Sequence, residues 1–134
     1  MTARTAACSC GQLRVTVTGE PAFVSACSCR DCQRRAGSVF GVSAFWPKAA
    51  VAVLEGESQV WRRISDSRRW IDNHFCRTCG NTLYWHAEAL PAVIGIAAGN
   101  FADPNFDPPT HAVWTESKHP WVKFPEGCVE NLRQ

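Results

Sequence analysis

The sequence predicts a mainly β domain, and three observations lead to that prediction. Short apolar segments recur roughly every 8–15 residues, no long amphipathic helical stripe separates them, and the cysteines fall into close groups that a metal ion could join. The length of 134 residues suits one domain with a core of its own. We therefore expect a single domain over residues 1–134, built from antiparallel sheets in a sandwich or a tent.

The first half of the chain contains three segments with strand patterns. Residues 12–18 alternate strictly between apolar and polar side chains, as a half-buried strand does. Residues 22–26 and 39–46 are two further strand segments, and Pro47 ends the second of them. Residues 30–37 are polar and lack a helical stripe, so we expect a loop or a single turn there.

The second half continues the pattern. Residues 51–54 and 59–64 flank the sequence Glu-Gly-Glu-Ser, which predicts a β-hairpin. Further strands are predicted at 81–86, 92–97, 112–116 and 121–124, and a short polar tail follows.

Composition and charge exclude several classes of protein. Hydrophobic residues make up 46% of the chain and charged residues 19%, which is typical of a folded protein rather than a disordered one. The net charge of +2 does not favour nucleic-acid binding. No apolar run approaches the roughly 18 residues of a membrane span, and no secretory signal is visible. We therefore expect a cytoplasmic protein with no membrane partner and with reduced thiols.

The cysteines carry most of the chemical information. Their close spacing in a reducing compartment favours metal binding over disulfides, over a redox pair at C-x-x-C, and over iron–sulfur ligation, whose spacings differ. The eight cysteines are Cys8, Cys10, Cys27, Cys29, Cys32, Cys76, Cys79 and Cys128.

Two pairs of cysteines have the geometry of a closed zinc site. In a strand, residues i and i+2 point to the same face, so Cys8 and Cys10 can reach one ion. Cys76-x-x-Cys79 followed by Gly80 is a zinc knuckle, in which glycine permits the positive φ of the tight turn. Four thiolates complete the tetrahedron of a structural zinc.

Three clustered cysteines remain, and three protein ligands with an open position are the layout of a catalytic zinc. We therefore predict a second zinc on Cys27, Cys29 and Cys32, which makes two per chain. Exchanging the first pair with two of the middle cysteines satisfies the same spacing. Cys128, near the end of the chain, is predicted to be a free thiol.

Several motifs together resemble one known family. The resemblance covers about residues 5–124, and all of its expected cysteines are in place. The motifs are CSCG at 8–11, CQRRAGS at 32–38, FCRTCG at 75–80, GNFADP at 99–104 and HAVWTESKHPW at 111–121. They are similar to those of the glutathione-dependent formaldehyde-activating enzymes.

This resemblance implies a β-tent fold and supports the division of the cysteines into four and three. It also implies a carbon–sulfur lyase of the S-(hydroxymethyl)glutathione synthase type, with Cys27, Cys29 and Cys32 as the catalytic centre. Its partners would be a small thiol such as glutathione and a small aldehyde. A metal-bound thiol is deprotonated near neutral pH, so the chemistry suits an open zinc site.

Candidate substrate-binding residues lie beside the middle cysteines. Arg30, Arg34 and Arg35 could pair with the two carboxylates of glutathione, or they could be a solvated surface run. Two other functions stay open: a non-catalytic zinc- and thiol-binding module or carrier, and a zinc ribbon for nucleic acid, which the charge disfavours. The tryptophans considered for a pocket are Trp46, Trp114 and Trp121.

Overall fold

The computed structural model describes residues 2–134, and its secondary structure is mainly β, as predicted. Besides the strands there is one short α-helix, α1 (Arg30–Ala36), and there are 3₁₀ turns at Lys48–Ala50, Ala98–Phe101 and Thr115–Ser117. The strands in chain order are β1 (Ala3–Ala7), β2 (Arg14–Thr18), β3 (Phe23–Cys27), β4 (Gly41–Pro47), β5 (Val51–Glu55), β6 (Ser58–Ile64), β7 (Trp70–Cys76), β8 (Thr82–Ala87), β9 (Val93–Ala97), β10 (His111–Val113) and β11 (Val129–Glu130).

The strands form two sheets. The small sheet has the order β1-β2-β5, and the large sheet has the order β11-β10-β3-β4-β9-β8-β7-β6. Neighbouring strands are antiparallel except at β10, which runs parallel to both β3 and β11. The predicted antiparallel arrangement is therefore confirmed apart from one edge of the large sheet. None of the helices within residues 2–134 is long and apolar enough to cross a membrane.

The hydrophobic core lies between the small sheet and one face of the large sheet. Val15 and Val17 of β2 are fully buried there, which matches the alternation predicted for residues 12–18. Trp46 and Ile96 reach the same core from β4 and β9. Each large apolar side chain buried in this way contributes about 1.5–3 kcal/mol to folding.

The opposite face of the large sheet carries a different set of side chains. Successive residues of a strand alternate between faces, so Phe45 and Trp85 point away from the core that holds Trp46 and Tyr84. Gly95 lies between them in register, because it pairs with Phe45 on one side and with Trp85 on the other. This second face is the floor of a cavity.

The segment 30–37 is a helix rather than the expected loop or single turn. The Cys29 side chain caps its first turn by accepting a hydrogen bond from the Cys32 N–H, and Gly37 ends it in a left-handed conformation. None of the seven helical residues is fully buried, which agrees with the lack of an apolar stripe in their sequence. Its caps, rather than its periodicity, define it.

The predicted hairpin of 51–54 with 59–64 is wrong. β5 pairs with β2 in the small sheet, whereas β6 pairs with β7 in the large sheet. Gly56 turns the chain between the two sheets at φ 89°, and a Cβ there would overlap the Gln12 carbonyl. Both strands exist, but β5 pairs with a strand distant in sequence and β6 pairs with the strand that follows it.

The end of the chain also differs from the expectation. Residues 121–124 form no strand within the described part of the chain, and the strand expected at 112–116 is shorter and begins at His111. Sequence reasoning missed three strands: β1 and β11, which lie at sheet edges, and β7, which lies between β6 and β8 in the large sheet. The last residues bond to the body of the protein, since Asn131 donates its N–H to the Ala112 carbonyl at 2.8 Å.

Candidate functional site

The fold brings seven of the eight cysteines into two clusters. In each cluster the sulfur atoms all lie within 4.8 Å of one another, so each could hold a metal ion. The spacing allowed two ways of grouping the cysteines, and in the structure Cys27 lies with Cys29 and Cys32. The closed cluster is Cys8, Cys10, Cys76 and Cys79, and the open cluster is Cys27, Cys29 and Cys32.

The closed cluster joins the turn between β1 and β2 to the end of β7. The sulfur of Cys10 lies 3.7 Å from that of Cys8 and 3.6 Å from that of Cys76. A tetrahedral zinc with Zn–S bonds of about 2.3 Å separates its sulfurs by about 3.8 Å, whereas a disulfide needs about 2.05 Å. All eight cysteines are free. The sulfur positions therefore fit a zinc ion and exclude a disulfide framework.

Hydrogen bonds around Cys76 favour its thiolate. The N–H groups of Thr78 and Cys79 each donate to Cys76 Sγ at 3.3 Å, and Gln12 Nε2 donates at 3.1 Å. Burial opposes the ionisation of Cys76, but the donors from Cys79, Gln12 and Thr78 outweigh it and lower its pKa to about 5. A site that stabilises thiolates before a cation arrives suits a metal ligand.

The open cluster lies where β3 leads into α1. Cys27 ends β3, Cys29 caps the helix and Cys32 is in its first turn. Hydrogen bonds from the thiols of Cys27 and Cys32 lower the pKa of Cys29 to about 2, and the Cys32 N–H adds a donor at 3.3 Å. The hydrogen bond to Cys29 is the largest of the causes that raise the pKa of Cys27. These hydrogen bonds therefore favour the thiolate of Cys29.

The open cluster faces a cavity of about 700 Å³, which is within the usual size range of small-molecule sites. The cavity lies over the second face of the large sheet, and its floor includes Ser25 and Ser43, which are paired between β3 and β4. All three cysteines of the open cluster line it, whereas no residue of the closed cluster, all of them described, lines it.

Arg35 of α1 links the open cluster to the cavity floor. Its guanidinium lies 4.2 Å from the centre of the Trp85 ring, as in a cation–π pair. Burial lowers the pKa of Arg35, while the neighbouring Cys32 raises it by charge attraction and by a hydrogen bond. Its Nη2 atom is buried and has no hydrogen-bond partner among the described residues. Arg35 thus places a positive charge beside the cysteines.

Two glycines make room for this pair. A Cβ at Gly41 would overlap Arg35 Nη2, and a Cβ at Gly95 would overlap the indole of Trp85. Gly95 is the register partner of Trp85, so the indole of Trp85 lies over β9, in the space that a side chain at position 95 would occupy. The sheet is therefore shaped for the Arg35–Trp85 pair.

The other predicted arginines lie elsewhere. Arg30 and Arg34 are exposed and are not among the described residues that line the cavity. Arg63 and Arg69, which sequence reasoning missed, do line it. Arg63 has a side chain only 13% exposed and forms an ion pair of 3.2 Å with Asp31. Nothing in the local sequence distinguishes Arg63 from its exposed neighbour Arg62, because only the pairing of β6 with β7 turns Arg63 toward the cavity.

Like the predicted arginines, the predicted tryptophans lie partly inside and partly outside the cavity lining. Trp46 is in the core and Trp121 is 70% exposed, so Trp114 is the one of the three predicted tryptophans in the cavity wall. Trp70 and Trp85 also line the cavity, and the sequence did not single them out.

Trp114 has a left-handed backbone, with φ 56°, which is uncommon for a bulky residue. Such strain costs on the order of 1–3 kcal/mol and persists where the surroundings hold it. The backbone of the last residues supplies this support, since Thr115 and Glu116 donate their N–H groups to the carbonyls of Asn131 and Leu132.

Comparison with known proteins agrees with this geometry. The family model described as "Glutathione-dependent formaldehyde-activating enzyme" matches residues 3–117. Two relatives named for the same activity are from Fusarium vanettenii, 33% identical over 81 residues, and Emericella nidulans, 30% identical over 81 residues. The aligned part is 60% of this chain but only 42% and 40% of those relatives, so this chain matches less than half of their length.

A solved structure shows the same fold. The crystal structure of a Rhodobacter sphaeroides protein superposes with a TM-score of 0.56 at 22% identity, covering 78% of this chain and 91% of that one. At this identity the likeness concerns the fold alone. Because the family model covers most of the residues, including both cysteine clusters, the chain belongs to the glutathione-dependent formaldehyde-activating enzyme family.

Proposed function

We propose that the chain is a zinc-dependent carbon–sulfur lyase that forms and cleaves the adduct of a small thiol, such as glutathione, with an aldehyde. The observation that carries this proposal is the open cluster, whose three cysteines line a cavity large enough for such an adduct. Family membership supports glutathione and formaldehyde as the reference substrates.

We propose that both clusters hold zinc, because an all-sulfur donor set at these separations suits a soft tetrahedral cation. The closed cluster has four sulfurs and would hold a structural ion. A zinc ion on Cys27, Cys29 and Cys32 would supply a vacant coordination position at which an incoming thiol loses its proton. The free thiols favour a reducing compartment, so we place the protein in the cytoplasm.

The chain's own residues would orient the two reactants. In the forward direction the thiol sulfur attacks the carbonyl carbon, a carbon–sulfur bond forms, and the proton from the thiol ends on the carbonyl oxygen. Arg35 offsets the negative charge of three thiolates and, with Arg63 and Arg69, offers partners for the carboxylates of glutathione. We assign the hydroxyls of Ser25 and Ser43 to the aldehyde oxygen, because Ser25 is two residues before Cys27 on the same face of β3 and Ser43 is its partner on β4.

The test uses zinc content and exchange rates together. Exchange spectroscopy on glutathione and formaldehyde should show faster adduct formation with enzyme than without it. In Cys29→Ser, zinc should fall from two ions to one per chain and the acceleration should disappear while the fold remains. Cys128→Ser is the matched control, because Cys128 is outside both clusters, and it should leave both values unchanged.

The outcomes separate an enzyme from a binding module. If cobalt-substituted protein shifts its spectrum on thiol addition but the exchange rate stays at the uncatalysed value, the chain is a thiol-binding module and the enzymatic proposal fails. If Cys29→Ser keeps both zinc ions, the assignment of the open cluster fails.

A further inference from the structure

Provided that the proposed function is right, we infer that this chain accepts adducts whose aldehyde-derived part carries an aromatic ring on a short arm, not only the single carbon of formaldehyde. The inference rests on the side chains of the cavity that the carbon–sulfur chemistry leaves unused.

An aromatic pair stands at the far end of the cavity floor. Phe23 and Phe45 stack with ring centroids 4.5 Å apart and an interplanar angle of 19°, and both line the cavity. They are paired in register between β3 and β4. Phe23 is four residues before Cys27 on the same strand, which is roughly 13 Å at the rise of a β-strand. The pair is therefore beyond the reach of a one-carbon substrate bound at the cysteines.

Further apolar side chains continue this surface. Ile71 and Ala87 are partners between β7 and β8, and Trp70 and Leu90 flank them along the chain. All four line the cavity. Apolar side chains that face water cost free energy. An apolar ligand group that covers them therefore binds favourably.

The charged groups that are buried or ion-paired are held beside the cysteines. Arg35 and Asp31 belong to α1, next to the cysteines, and Arg63 is ion-paired with Asp31. Of the remaining charged residues of the lining, Asp66 and Arg69 are exposed in the loop between β6 and β7. The arginine by the cysteines suits the anionic ends of a tripeptide thiol, which leaves the Phe23–Phe45 end for the other half of the adduct.

Stable thioethers test the inference without any reaction. S-methylglutathione resembles the formaldehyde adduct, and S-(3-phenylpropyl)glutathione resembles the adduct of 3-phenylpropanal, each without the hydroxyl. Titration calorimetry on the zinc-loaded protein should show the aryl compound binding at least about tenfold more tightly, because its ring leaves water for an apolar wall. Equal affinities would overturn the inference.

Variants locate the effect. Phe23→Ala should remove most of the preference for the aryl compound and leave the affinity for S-methylglutathione within about twofold. Phe45→Leu is the milder second variant, in case the loss of a ring from the Phe23–Phe45 pair disturbs folding. Phe40→Ala is the control, because Phe40 packs on Phe124 and is not a residue of the cavity lining within residues 2–134. A preference that survives both cavity variants would contradict the inference.

Rates distinguish this inference from the proposed function. Acceleration of adduct formation from 3-phenylpropanal, lost in Phe23→Ala, supports both. Acceleration with formaldehyde alone, together with equal thioether affinities, overturns the inference and leaves the proposed function standing. No acceleration with either aldehyde overturns the proposed function, and the thioether affinities still decide which ligand class the cavity takes.

Discussion

Cys76 and Cys29 are both buried cysteines whose sulfur accepts backbone N–H hydrogen bonds, yet they belong to clusters of different kinds. The closed cluster has four sulfurs, does not line the cavity and joins residues far apart in sequence. The open cluster has three sulfurs, comes from one short segment and faces the cavity. In the function we propose, sulfur number and access to the cavity, rather than the chemistry of the single cysteine, distinguish the structural zinc site from the catalytic one.

The largest expected effect comes from breaking the closed cluster. Cys76→Ser should lower the melting temperature by more than about 10 °C or prevent folding, because structural zinc contributes about 10–16 kcal/mol in small peptides, comparable to the stability of a whole domain. Cys29→Ser should keep a cooperative melt near that of the wild type. Thermal melts with zinc quantification measure both. Equal destabilisation by the two variants would contradict the comparison.

The next effect concerns the floor beneath the open cluster. Gly95→Ala places a methyl group where the Trp85 indole lies, so we expect a loss of about 1–3 kcal/mol of stability and a lower rate of adduct formation. Gly99→Ala is the matched control, since Gly99 is exposed and a Cβ there meets nothing within 4 Å. Denaturant unfolding and exchange spectroscopy check the prediction, which fails if the two variants behave alike.

A smaller effect should separate the arginines of α1. Arg35→Lys keeps the charge but loses the planar group that stacks on Trp85, so we expect the KM for glutathione to rise about tenfold while zinc content stays the same. Arg34→Lys, on the exposed side of the helix, should leave KM unchanged. Steady-state kinetics at saturating aldehyde provide the measurement. A kcat loss without a KM change would reassign Arg35 from binding thiol to positioning the cysteines.

These arginines also show how far sequence reasoning reached. The spacing of the cysteines is a local signal, because residues two or three apart share one face or one turn, so each close group of cysteines was foreseeable. Spacing left open which groups share an ion, and the fold brings Cys8 and Cys10 to Cys76 and Cys79. Strand positions such as 12–18 were foreseeable from alternation. The hairpin failed because β5 joins β2, which is distant in sequence, in the small sheet, whereas β6 pairs with β7, the next strand, in the large sheet. Arg63 and Trp85 were missed because only the register of the large sheet turns them toward the cavity.

The smallest effect is a pH dependence on the side of the sheet away from the cavity. Burial, and then the charge of Lys48, lower the pKa of His86, although Asp72 raises it. Its Nδ1 atom is buried without a partner among the described residues, and its ring neighbours are His74 and Tyr84.

A histidine whose pKa is lower in the folded state than in the unfolded state takes up its proton more readily when unfolded. Its contribution to stability is therefore complete above the unfolded pKa of about 6.5 and is lost as pH falls through the lower, folded value. His86→Asn should make the melting temperature a few degrees less sensitive to acid between about pH 7 and 5. Because His86 is only partly buried, a larger change would point to another titrating group, and an unchanged acid sensitivity would show that His86 makes no such contribution.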